Sequence, residues 1–135
     1  MSEGAPPDLE LHERDGYLEA RYLGSYSLEG YKSQMRRSTQ ACTERDIVRL
    51  LVDITELQGY APTTMERHDI GVTGASLSRN LERVAVILCP KQNNSDMFST
   101  TVARNRGLSV QAFVDREEAL RWLLGAASGR TKPQV

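Results

Sequence analysis

Two short, almost uninterrupted apolar runs, Val48 to Ile54 and Val84 to Cys89, set the strongest limit on what this chain can become. A half-exposed strand alternates polar and apolar residues, so runs of this character fit strands covered on both faces. Strands of that kind belong to parallel sheets, in which each return to the sheet passes through a helix. Helix signals lie where that rule needs them. Thr63 followed by Glu66 has the capping-box pattern behind Pro62, with Gly71 and Gly74 leaving the helix end open. Pro90 stops the second run. Ser95 then opens a helix through Met97, Phe98 and Val102, with Gly107 placed as its closing glycine and Leu108 able to pack back. Val110 to Val114 reads as a further strand. Asp115 with Glu118 repeats the capping-box pattern for a last helix, Glu117 to Leu124, ended by Gly125.

Ahead of the first run, Leu9 and Leu11 alternate with Glu10 and His12, and Leu18, Ala20 and Tyr22 alternate with Glu19 and Arg21. Asp15-Gly16 lies between them, which predicts a β-hairpin with one buried face and a type I′ turn. Ser27 is a candidate N-cap for a helix to about Glu44, with Leu28, Tyr31, Met35 and Cys42 on its apolar face. Lys32, Arg36 and Arg37 form a solvated basic surface on the other side. The order is β-β-α-β-α-β-α-β-α. It predicts an α/β fold: one mixed sheet of about five strands, an N-terminal hairpin then parallel βα units, flanked by about four helices.

A chain of 135 residues has room for one domain. Residues 1–7 and 126–135 are small, polar and rich in Gly, Ser and Pro, so both ends are expected to be disordered around a domain of 8–125. Lys and Arg total 17 against 18 Asp and Glu, a net charge of −1 that argues against a nucleic-acid binder. No apolar run approaches the ~20 residues that cross a bilayer, and the acidic start lacks a secretory signal, so no stable membrane insertion and a cytoplasmic location are expected. Two cysteines, Cys42 and Cys89, make no disulfide framework and suit reduced, buried positions.

Phosphate-binding loops, dinucleotide fingerprints, zinc-protease helices and nucleophile elbows are all absent from the sequence. His12 and His68 fall on different elements without a Cys partner, so neither metal nor cofactor is expected. His68-Asp69 adjacency puts the two side chains on different sides of a helix. Asp53 is the acid of most interest, because it closes a buried strand where open α/β sheets present ligands. Its simpler role is a carboxylate satisfied by backbone N–H groups of the next loop. The paired acids and the lysine of a phosphoacceptor receiver domain have no counterparts here. No catalytic constellation emerges, and the chain is read as a non-enzyme.

The stretch Leu50-Leu51-Val52-Asp53-Ile54-Thr55, the strand Arg83 to Leu88 and the ending Phe113-Val114-Asp115-Arg116-Glu117-Glu118-Ala119-Leu120-Arg121-Trp122-Leu123 resemble the STAS domain. The resemblance is closer to SpoIIAA-like (STAS/SEC14-type) bacterial proteins and covers roughly residues 8–125. It implies a single-domain STAS-like fold and a regulatory, non-catalytic role. Antagonist members carry a phosphorylatable serine where this chain has Tyr60-Ala61-Pro62-Thr63-Thr64. By that resemblance Thr63 is the candidate phosphorylation site, although the Asp and Gly of the motif are missing.

Crossovers gather the loops after the parallel strands on one sheet edge, so the working surface is expected at residues 55–64 and 91–95. Asp53, Thr55, Tyr60, Thr63, Lys91 and Ser95 are its candidates, with Tyr60 as an amphipathic ring and Lys91 as a steering charge. The expected partner is a protein. The alternative is a small anionic or lipid ligand, and homodimer formation stays open. Trp122, Ala119 and Leu123 are expected in the core.

Overall fold

The computed structural model describes residues 8–92 and 100–125. Strand β1 (Leu9–Arg14) pairs antiparallel with β2 (Tyr17–Tyr22), then α1 (Leu28–Glu44) leads to β3 (Arg49–Asp53) and α2 (Thr64–Leu77) to β4 (Arg83–Ile87). A 3-10 turn follows at Pro90–Gln92. Helix α3, described over 100–105, leads to β5 (Val110–Phe113), and α4 (Arg116–Leu124) closes the chain. The five strands lie in the order β1-β2-β3-β4-β5, parallel from β2 onward. The mixed α/β sheet expected from the alternation is therefore present.

Because each crossover advances by one strand in the same direction, α1, α2 and α3 fall on one face of the sheet. Period-two alternation sorts the side chains accordingly. Leu18, Ala20, Tyr22, Leu50, Val52, Val84, Val86 and Val110 pack under the three helices with Tyr31, Cys42 and Ile70. Leu51, Ala85 and Ile87 point the other way and meet Ala119 and Leu123 of α4. Trp122 is only half-buried, stacked obliquely on Phe113 at 5.8 Å with the Arg83 guanidinium 5.1 Å from its ring centre.

The caps show why the elements stop where they do. Ser27 accepts from the Gly30 N–H at 3.0 Å. Thr63 forms the full capping box: its hydroxyl accepts from the Glu66 N–H and its own N–H donates to Glu66 Oε1, both at 3.1 Å. Helix α3 ends as expected at Gly107 (φ 98°), with Leu108 N–H bonded back to Ala103 O and packed beside it. The same device ends α1, but with Asp46 in the left-handed position (φ 56°) and Ile47 N–H bonded to Cys42 O.

Three local expectations change. Gly16 (φ 90°) is the one hairpin residue at positive φ, so the turn follows the type II rather than the type I′ pattern. Asp115 accepts from the Glu117 N–H at 3.1 Å, a simple cap on a helix starting at Arg116, without the reciprocal Glu118 bond. Cys89 is half-buried and its thiol donates to Thr55 O, whereas Cys42 is fully buried and burial raises its pKa to about 11. No helix among the described residues is long and apolar enough to cross a membrane.

Candidate functional site

The carboxyl ends of β3 and β4 carry two connections that are braced against each other. After Ile54 the chain turns, and Gln58 N–H bonds to Gly24 O while Tyr26 N–H bonds to Gln58 O, both at 2.8 Å. The loop thus gains a parallel bridge to the segment leaving β2. Leu57, Tyr60 and Pro62 turn inward and are buried, leaving Glu56, Gln58, Gly59 and Ala61 exposed. The start of the other connection, through residue 92, is fixed by Gln92. Its Nε2 donates to Ile54 O at 2.9 Å and its Oε1 accepts from Cys89 N–H at 2.7 Å. A groove of about 570 Å³ opens between them, lined by Thr55, Gln58, Tyr60, Ala61, Lys91 and Gln92 among others.

Of the candidates named from sequence, Thr55, Tyr60 and Lys91 meet in this groove, and Lys91 is exposed with no ion partner among the described residues. Tyr60, expected on the working surface, lines the groove from a mostly buried position. It is 7 % accessible, packed edge-on to Tyr26 at 5.3 Å and tilted on Tyr31 at 5.5 Å, because a short loop crossing a sheet edge needs an apolar anchor. Thr63 is exposed at the start of α2 with its hydroxyl occupied by the cap, so a phosphate there would sit beside the Glu66 carboxylate and displace that bond. Ser95 lies outside the described residues.

Asp53 is committed elsewhere. One carboxylate oxygen accepts from Thr55 N–H at 2.9 Å and from the Thr55 hydroxyl at 2.7 Å, and the other faces Arg116 at 3.3 Å. Arg116 also pairs with Glu19, which is 4 % accessible and bound at 3.0 Å to Arg14. This is an ion network on the α4 side of the sheet that ties β2, β3 and the start of α4 together. Sequence reasoning found neither Glu19 nor Arg116, since a lone acid on the outward face of an amphipathic strand gives no sign of burial. The basic face of α1 is also less free than expected. Arg37 grips both oxygens of Asp8 at 3.0 and 2.9 Å, and Lys32 pairs with Asp69 at 3.1 Å. These cations hold the Asp8 and Asp69 carboxyls below their usual range. Among the described residues no group of three or more His, Cys, Asp or Glu is arranged to hold a metal ion.

An α/β domain with an N-terminal hairpin, three helices on one face and a single helix on the other is thereby defined. The SpoIIAA-like family model matches residues 17–124, and the chain belongs to that family. Its fold is similar to the crystal structure of an uncharacterized DUF3478-family protein with a SpoIIAA-like fold from Shewanella loihica PV-4. The two chains are 21% identical, with a TM-score of 0.54 over 85% of this chain and 91% of that one. A search of curated proteins gave no match.

Proposed function

We propose that this protein is a non-catalytic regulatory module that docks a partner protein in the groove between residues 55–61 and 91–92. One observation carries the reading: two loops from neighbouring parallel strands are braced by Gln92 and Gln58, so a concave surface of about 570 Å³ is held ready for a partner. Preformed surfaces bind with less ordering cost than loops that must be immobilised. Lys91 gives the groove a cation at one rim, and the exposed Gln58 and Ala61 flank the other. A partner carrying an acidic side chain near an apolar contact fits that arrangement.

The test places a photo-crosslinking residue at Gln58 in cells and compares the adducts with those of a chain also carrying Lys91→Glu and Ala61→Arg. All three positions are exposed, so the variants are expected to keep their thermal midpoint. A discrete adduct that disappears with the double substitution supports the reading. Absence of any adduct, or adducts indifferent to the substitutions, overturns it.

A further inference from the structure

The sheet ends on β1, and that edge is left open. Among the described residues β1 bonds to β2 alone, and α1 lies chiefly on β2 and β3 while α4 lies on β3, β4 and β5. Leu23 N–H donates to Asp8 O at 2.9 Å, continuing the register that sets Leu9 against Tyr22. Hydrogen-bonded positions alternate along an antiparallel pair. Glu10, His12 and Arg14 therefore bond inward to β2, whereas Leu9, Leu11 and Glu13 turn their N–H and C=O groups away from it. A row of such groups is a template for another strand. Side chains alternate as well: Glu10, His12 and Arg14 share the α4 side of the sheet with Glu19 and Arg21, and Leu9 and Leu11 lie on the other side, only partly buried beside the larger core.

The order of charges along β1 selects the strand that fits. Charged edges commonly repel a second copy of themselves, but this one does not when the two strands run antiparallel and are centred on Leu11. Leu11 then meets Leu11 of the other copy, Leu9 meets Glu13, and Glu10 meets His12. Asp8 falls opposite Arg14 too, although each is already held within its own copy, Asp8 by Arg37 and Arg14 by Glu19. In this register Leu9, Leu11 and Glu13 are the hydrogen-bonded positions of both strands, so every outward N–H finds a C=O. Glu10 and His12 occupy the intervening positions, where facing side chains approach most closely. Moving the centre by one residue sets Glu10 against Glu10 or His12 against His12 and leaves outward groups unpaired. The opposite edge, β5, is shorter and carries no charge over Val110–Phe113, so nothing in it selects a register.

We propose that the protein forms a two-fold symmetric dimer in which the β1 strands of two copies pair antiparallel about Leu11, joining two five-stranded sheets into one. The interface lies along a strand edge, apart from the loop groove, and stands or falls without it. His12 makes the pairing pH-dependent. It lies 3.6 Å from Glu10 on its own strand and directly opposite Glu19 of β2, with Arg14 beside it and Tyr17 and Arg21 flanking Glu19. Glu19 is already bound to Arg14 and Arg116, so the acid that a protonated His12 gains on pairing is Glu10 of the other copy.

Sedimentation equilibrium of the full chain at up to about 1 mM, with amide exchange followed by NMR, tests the interface. A monomer–dimer equilibrium is expected whose dissociation constant falls about fivefold between about pH 8 and about pH 5.5, where an imidazole takes up its proton and two Glu10–His12 pairs form. His12→Lys, charged throughout, should dimerise at about pH 8 as tightly as the unaltered chain does in acid, and His68→Gln should leave the pH response unchanged. Glu13→Pro, at an exposed edge position whose N–H faces outward, should fold and stay monomeric. On concentrating the unaltered chain, exchange at Leu9, Leu11 and Glu13 should slow about tenfold or more, while Glu10 and His12, already bonded to β2, change little. A chain that stays monomeric, association indifferent to pH or to His12→Lys, a dimer retained by folded Glu13→Pro, or protection gained at Val110–Phe113 instead would each overturn the proposal. Should Glu13→Pro fail to fold, the alternating amide pattern decides alone.

Discussion

The two faces of the sheet are filled in opposite ways. Three helices cover one face and leave a cavity, whereas a single helix covers part of the other and leaves its apolar patch closed. Leu51, Ala85, Ile87, Ala119 and Leu123 are each at most 4 % accessible, and the rest of that face is knitted by Glu19, Arg116 and Asp53. Packing is decided by what each helix turns inward, not by how many helices there are. α4 contributes Ala119 and Leu123 at four-residue spacing. α2 turns in two glycines, which cost helix stability by about 1 kcal/mol each relative to alanine. A gap of about 70 Å³ is left beneath it, and the side chains around that gap forfeit contacts that the α4 side makes.

The sharpest way to break this contrast is to cut one large side chain from each face. Leu123→Ala removes a fully buried side chain from a closed patch and is expected to cost ~3–4 kcal/mol. Ile70→Ala, beside an existing void, forfeits fewer contacts and is expected to cost ~2 kcal/mol. Urea unfolding midpoints measure both. Equal losses would mean that the two faces are packed alike.

Next in size is the ion network. Arg116→Met leaves Glu19 with Arg14 alone and Asp53 with Thr55 alone. Removing one partner of a wholly buried pair costs 3–5 kcal/mol, and because each acid keeps another contact about 2 kcal/mol is expected. Adding Glu19→Gln should return part of that loss. A double-mutant cycle with no coupling between positions 19 and 116 would show that the network contributes nothing to holding α4 in place.

Much of the frame was legible in the sequence, and the reasons are local. The runs at Val48 and Val84, the caps at Ser27 and Thr63, and the closing glycine at Gly107 each encode structure within a few residues. What stayed hidden depends on residues far apart in the chain. Gly71 and Gly74 argue for a helix end when read locally, and only α1 packed alongside explains a continuous α2 with a bare inner side. Glu19 alternates as an outward residue should, yet Arg116, 97 residues later, buries it. The two loops that line the groove share one sheet edge because parallel crossovers gather them there. How deeply Tyr60 is buried is not legible locally, because Tyr26 and Tyr31, which pack against it, lie about 30 residues earlier.

Gly74→Ala tests the thinly filled face from the opposite direction. A methyl at this position meets nothing closer than the Met35 sulfur at 3.8 Å, an ordinary contact. The helix gains from lower backbone entropy in the unfolded chain, so stability should rise by about 1 kcal/mol, read as a higher urea midpoint. A fall would show that the roof of the cavity is already in close contact.

The smallest effect concerns the surface of the three-helix face, where Arg37 holds Asp8 and Lys32 holds Asp69. Both carboxyls have folded pKa values lowered from 3.8, Asp8 chiefly through its hydrogen bonds to Arg37 and Asp69 chiefly through its bond to Lys32. A carboxyl with a depressed folded pKa binds protons more readily when the chain is unfolded. Its stabilisation is therefore complete above 3.8 and is lost as pH falls through the lower folded value. Both acids are more than a third exposed, so solvent screening reduces each contribution to a few tenths of a kcal/mol. Below pH 4, Arg37→Gln should show a shallower loss of stability than the unaltered chain, and 1 M salt should narrow that difference. Identical acid profiles for the two proteins would mean that the Asp8 pair adds nothing to this face, leaving its stability to the apolar contacts beneath α1 and to Ile70.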